Sequence, residues 1–214
     1  MSDTAVEVSL DVDFFRRWIT RFAEAVDGSC DELTRLDAAI GDADHGVNMQ
    51  RGLRAVVASL ATESELESPQ SVLSLVGNRL MSVVGGAAGP LYGTAFRAMA
   101  QGLGNDPTVE PEDLVKALRA GLDGIQRIGA AEPGDKTIVD AWYPAAMTLE
   151  TSGRSVRSIA LEAERASREG MLATIPLRAR KGRASYLGWR SEGHQDPGAT
   201  SAHLIFVSLV SAIR

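Results

Sequence analysis

The chain has 214 residues, 44% of them apolar, with one cysteine and a formal net charge of −6. That length and apolar content suit a single domain spanning 1–214 with a substantial core. The acidic balance argues against nucleic acid or an anionic membrane as the main partner, and Cys30 alone cannot build a disulfide framework. The opening MSDTAVEVSLDVD has neither the basic nor the apolar region of a secretory signal, and no apolar run approaches the ~18 residues of a membrane span. A cytoplasmic protein is expected.

In chain order, residues 1–9 carry no periodic signal. Phe15, Trp18, Ile19, Phe22 and Val26 then recur at the three- and four-residue spacing of an amphipathic helix. Leu53, Val56, Val57 and Leu60 repeat it, followed by a soft stretch at 62–69. Val72, Leu75, Val76, Leu80 and Val83 predict a third helix, and residues 92–103 a fourth. The next carries Leu114, Ala117, Leu118, Leu122, Ile125 and Ile128 and opens with Glu110-Pro111-Glu112-Asp113, proline and acids standing where a helix start favours them. Further helices are predicted over roughly 137–151, 154–171 and 199–213. No window alternates with period two, so the class is all-α with about eight helices.

The unusual residues gather in four connections. Leu36 to Asn48 holds Asp37, Asp42 and Asp44 together with Gly41, His45 and Gly46. Ionised carboxylates offer acceptors only and repel one another, so such a cluster calls for a hard cation; the alternative is a polar turn with Asp44 capping the next helix. An EF-hand is excluded, because counting from Asp42 the fifth and twelfth positions are Gly46 and Leu53. The second loop, Gly85 to Thr94, leads small residues into a helix start, which suits phosphate or merely close helix packing. In the third, Glu132-Pro133-Gly134-Asp135-Lys136-Thr137, Asp135 stands where a Walker A loop needs glycine. There Asp135 reads as a helix cap and Lys136 as an ordinary solvated side chain. The fourth, Arg178 to Ser201, concentrates five basic residues between 178 and 190 and suits an anion, or else a solvated turn.

Three loops able to meet phosphate and one able to hold divalent cations suggest a nucleotide bound through its metal ions. Three ionised aspartates and a nucleoside diphosphate of about −3 cannot lie together unless roughly two Mg²⁺ ions intervene. Oxygen ligands with one neighbouring imidazole favour Mg²⁺ over zinc.

With those residues in place, the chain resembles the nucleotide-binding L subunit of the dihydroxyacetone kinase family over nearly its whole length. LDAAIGDADHGVNMQRG at 36–52, GGAAGPLYGT at 85–94, EPGDKT at 132–137 and ARKGRASYLGWRSEGHQDPGATS at 179–201 carry the likeness. The resemblance implies a closed bundle of eight antiparallel helices with ADP and two Mg²⁺ at one end. It implies that Asp37, Asp42 and Asp44 hold the metals and, with Arg183, carry catalysis. His45, Gly46, Val47 and Asn48 would border the phosphates, and Ala87, Ala88 and Thr94 would belong to the second phosphate-facing loop. Gly129 and Ile138 would flank the nucleoside, and Arg183, Asp196 and Gly198 would close the site. Two departures stand out: Ala88 replaces a serine common in the family, and Trp189 a position often acidic.

The implied reaction is phosphoryl transfer from Mg-bound ADP or ATP to dihydroxyacetone held on a separate K subunit. The implied donor is either ATP or a phosphohistidine protein of the phosphotransferase system, and a homodimer is left open. His45 and His194 are not expected to carry a phosphoryl group. A kinase subunit for another small ketose or sugar acid, or a regulator that only holds ADP, would keep the same loops.

Overall fold

A computed structural model describes residues 8–147, 149 and 155–213. Local signals set the helix ends. Asp11 accepts the amide of Phe14 (2.9 Å) and starts α1, Val12–Gly28. A break at Ser29 separates it from α2, Cys30–Ile40. After α3, His45–Thr62, the Ser68/Ser71 capping box with Pro69 in the first turn opens α4, Pro69–Val83. The next helices are α5, Ala88–Leu103, and α6, Pro111–Gly129, which ends on Ala130 in the left-handed region. Then come α7, Ile138–Met147, and α8, Val156–Ala173, headed by Ser155. Asp196 caps α9, Pro197–Ala212, by accepting the amide of Ala199 (2.7 Å).

The all-α expectation holds, with nine α-helices among the described residues. α2 is the helix absent from the periodic reading. Its buried apolar side chains on the core side are few, Leu33, Leu36 and Ile40, and Asp37 interrupts the stripe. Two further features had no sequence signal. Leu10–Asp11 (β1) pairs antiparallel with Thr108–Val109 (β2), and Arg183–Ser191 winds into a 3-10 segment kinked at Gly188. The helix expected over 137–151 is described as far as Met147; residues 148 and 150–154 lie outside the described residues.

The helices close on themselves. α3 packs on α4, α4 on α5, α5 on α6 and α6 on α7; α7 and α8 both meet α9, and α1 and α2 bridge from α9 back to α3. Phe22, Tyr92, Phe96, Trp142 and Phe206 are buried between them, with Trp142 edge-on to Phe206 at 5.6 Å. The buried indoles are satisfied: Trp18 donates to the carbonyl of Ile205 (3.0 Å) and Trp142 to that of Leu118 (2.9 Å). Gly77 and Gly93 let α4 and α5 approach until a Cβ on either would press the other's carbonyl, at 2.8 and 2.9 Å. Gly93 therefore serves close packing. One end of the bundle gathers the N-termini of α3, α5, α7 and α9 and the C-termini of α2 and α6, and there a cleft of about 570 Å³ opens.

Candidate functional site

One wall of the cleft is the aspartate loop. Asp37, on the last turn of α2, accepts the amides of Asp44 (2.8 Å) and His45 (3.1 Å) through Oδ2, folding the chain back across the helix end. Gly41 is required for that fold, since a Cβ there would overlap the Asp37 carboxylate. Ala43 adopts φ +62°, a left-handed backbone that costs a non-glycine residue about 1 kcal/mol. The result is convergence: one oxygen each of Asp37, Asp42 and Asp44 lies within 4.8 Å of the others, grading from buried Asp37 to exposed Asp42. Asp44 occupies the N-cap position of α3, but its side chain does not cap the helix. An all-oxygen donor set spaced in this way, half open to solvent, fits a hard divalent cation.

Much of the remaining lining comes from helix starts. Ala87 and Ala88 open α5 and line the cleft beside Gly85 and Gly86, and no side chain caps this helix start. Four convergent N-termini add their positive dipole ends, which favours an anion near the aspartate loop. His45 and Asn48 contribute from α3 and Pro197 and Gly198 from α9. His45 Nε2 lies 2.8 Å from Ser201 Oγ, which is 2.6 Å from the Tyr92 hydroxyl, so the imidazole is oriented by a buried chain. Burial lowers the pKa of His45, against the opposing pull of Asp37 and Asp44. Asp196 is pushed up to about 7 by burial, opposed by the amide of Ala199.

Part of the lining is apolar: Leu91, Ile125, Ile128, Gly129, Ala131 and Ile138 offer surfaces suited to a flat base. The segment 174–196 brings Lys181, Gly182, Arg183 and Ala184 to the cleft. Arg183 forms an ion pair with Asp42. Tyr186 and Trp189, on the same segment, are 87% and 73% exposed.

The cleft thus gathers Asp37, Asp42, Asp44, His45, Asn48, Ala87, Ala88, Gly129, Ile138, Arg183, Asp196 and Gly198 from distant parts of the chain. Three expected residues stand away from its wall. Gly46 faces Cys30 and Thr34 of α2, where a Cβ would clash; Val47 is exposed; Thr94 sits a turn further along α5, against Gly124 of α6. Helical rotation explains all three, since a 100° step per residue turns neighbours of a lining residue away.

The reading of 132–137 is corrected. Asp135 does not cap α7: its carboxylate accepts the amide of Glu132 (2.9 Å), and Asp140 accepts those of Gly134 (2.6 Å) and Thr137 (2.7 Å). Lys136 is not solvated. It is 1% exposed, has φ +64° and reaches the cleft wall. Its ammonium donates to the carbonyls of Thr174 (2.7 Å), Ile175 (3.4 Å) and His194. Tyr92, Ser201 and Ile125 were not among the expected site residues, because motif and helical position alone do not distinguish them from packing residues.

The family model described as the DAK2 domain matches residues 39–211. A protein of Escherichia coli (strain K12), named as the ADP-binding subunit DhaL of PEP-dependent dihydroxyacetone kinase, is 42% identical over 92% of this chain and 95% of its own. A Listeria innocua protein, named as the ADP-binding subunit DhaL of PEP-dependent dihydroxyacetone kinase 1, is 40% identical over 95% of this chain and 98% of its own. The crystal structure of the dihydroxyacetone kinase of C. freundii superposes with a TM-score of 0.71 at 26% identity, covering 99% of this chain and 36% of that one.

Proposed function

The chain belongs to the DAK2 domain family, and on that premise we propose that it is the nucleotide-binding, phosphoryl-donor subunit of a cytoplasmic dihydroxyacetone kinase. The acceptor, dihydroxyacetone, is held on a separate K subunit, and the bound nucleotide is ADP recharged by a phosphohistidine protein of the phosphotransferase system. The observation that carries this reading is the convergence of three aspartates in the wall of a cleft that four helix N-termini also line.

Asp37, Asp42 and Asp44 would hold two Mg²⁺ ions, which supply charge neutralisation between carboxylates and phosphates and Lewis-acid polarisation of the transferring group. The protein's own contribution is positioning. Ala87 and Ala88 present backbone amides to phosphate oxygens, and the absence of a hydroxyl at Ala88 leaves that contact to the main chain. Arg183 exchanges its partner Asp42 for phosphate oxygen and spreads the charge that develops in transfer. The apolar lining from Leu91 to Ile138 holds the base, and Asp196 and Gly198 close the edge. No residue of this chain needs to act as a base toward the sugar, because the acceptor comes from the partner.

Native mass spectrometry of the freshly purified chain tests the reading. The expected species carries ADP and two magnesium masses and, once recharged, transfers phosphoryl to dihydroxyacetone on a K-type partner. An empty chain that turns over ATP with that partner would move the donor assignment to ATP. Retention of ADP without transfer to any K-type partner would reduce the chain to a regulator.

A further inference from the structure

The segment Thr174–Asp196, which carries Lys181 and Arg183 to the cleft, is slung between the end of α8 and the start of α9. Its two ends meet at one place. The amide of Gly193 donates to the carbonyl of Ile175 (2.8 Å), and that of Asp196 to the hydroxyl of Thr174 (3.1 Å). The Lys136 ammonium lies at this junction, taking the carbonyls of Thr174 and Ile175 from one end and of His194 from the other. A neighbouring tie is also made by the third loop, where the amide of Arg180 donates to the carbonyl of Asp135 (3.0 Å).

We propose that Lys136 is the positioning residue of the phosphate-facing strap: its buried ammonium clasps both ends of residues 174–196 and so holds Arg183 over the aspartate loop. The chemistry is specific to lysine. An ammonium offers three donors around a point, matching three converging carbonyls, whereas a planar guanidinium fork does not. Burial opposes the charge, while Asp196, Asp140 and Glu192 favour it. The left-handed φ of +64° points the same way, since a backbone that disfavours side chains is retained where the side chain is needed.

The consequence for Mg-ADP rests on the proposed function; the clasp itself does not, and the two are tested separately. Hydrogen exchange of the nucleotide-free chain reads the clasp. Lys136→Met is expected to raise exchange in peptides covering 174–196 and to leave the α4–α5 pair protected as before. Lys136→Arg, which keeps the charge without the geometry, is expected to give the same confined loosening and serves if the Met variant does not fold. Calorimetric titration of Mg-ADP then reads the coupling. Lys136→Met and Arg183→Gln are each expected to weaken binding roughly tenfold, the scale of one charge-assisted contact. The double variant is expected to be no weaker than either single one. Unchanged exchange at 174–196, a rise spread evenly over the whole chain, or multiplying losses in the double variant would overturn the proposal. Failure of wild-type chain to bind Mg-ADP would instead count against the proposed function and leave the exchange result standing.

Discussion

The two sides of the cleft are assembled over different distances along the chain. The aspartate loop is local: Asp37 and the amides it accepts, of Asp44 and His45, lie seven and eight residues apart. The strap side is remote: the carbonyls around Lys136 come from 38 to 58 residues away. A local cluster advertises its chemistry in its composition, whereas a remote one uses ordinary residues whose role appears only when helices bring their ends together. The first is a set of ligands shaped mainly by its own turn; the second is support with few ligands.

Substitutions can break this contrast at either side, and the largest effect is expected in the local cluster. Asp42→Ala removes one of three carboxylates and should abolish Mg²⁺-dependent ADP retention in native mass spectrometry, with an unchanged far-ultraviolet circular dichroism spectrum. Gly41→Ala drives a methyl into the Asp37 carboxylate and should weaken Mg-ADP binding by roughly tenfold or more while shifting the melting temperature little. Asp140→Ala leaves two amides of the third loop unpaired and should cost about 2 kcal/mol, seen as a fall of roughly 4–8 °C in melting temperature.

A pH scan probes the pairing of the two helices that carry the strap. His203 of α9 lies 2.8 Å from Ser167 of α8, fastening together the helices that carry the strap, and burial and Arg168 lower its pKa to about 4. An unfolded histidine titrates near 6.5, so between pH 6.5 and 4 the unfolded chain binds the extra proton. Stability is therefore present above pH 6.5 and lost as pH falls toward 4, by on the order of 2 kcal/mol after allowance for the nearby Glu164 carboxylate and solvent screening. Chemical denaturation at several pH values should show wild type losing more stability than His203→Gln as pH falls from 6.5 to 4, the difference isolating His203 from Asp196, whose raised pKa of about 7 favours the folded state as pH falls over the same range. The smallest effect belongs to the exposed Arg35–Glu32 pair on α2, where Arg35→Ala should leave the denaturation midpoint unchanged within the error of the measurement.

Legibility followed the same division. Trp18, Phe22, Leu118 and Ile125 fall on the faces that their spacing assigned, because a helix repeats every 3.6 residues whatever surrounds it. Ile128 shared that spacing yet is exposed, since it lies at the open end of α6 where the cleft replaces a neighbouring helix. α2 escaped because its apolar stripe is short and broken by Asp37. Among the expected site residues, Asp42 was visible as chemistry in a loop and Ala88 through the family resemblance, whereas Gly46, Val47 and Thr94 shared motifs with lining residues and turn elsewhere. Lys136 was misread for the opposite reason: a lysine between aspartate and threonine is usually solvated, and nothing near it in the chain names its carbonyl partners.

The sequence by itself determined the helical class, the aspartate turn and the family resemblance, because periodicity, charge density and motif order are properties of short segments. Tertiary structure alone decided which residues of each motif face the cleft, how Arg183 reaches Asp42 and why Lys136 is buried. Those outcomes depend on the rotation of each helix about its axis and on closure of the bundle, which brings ends far apart in the chain within hydrogen-bonding distance.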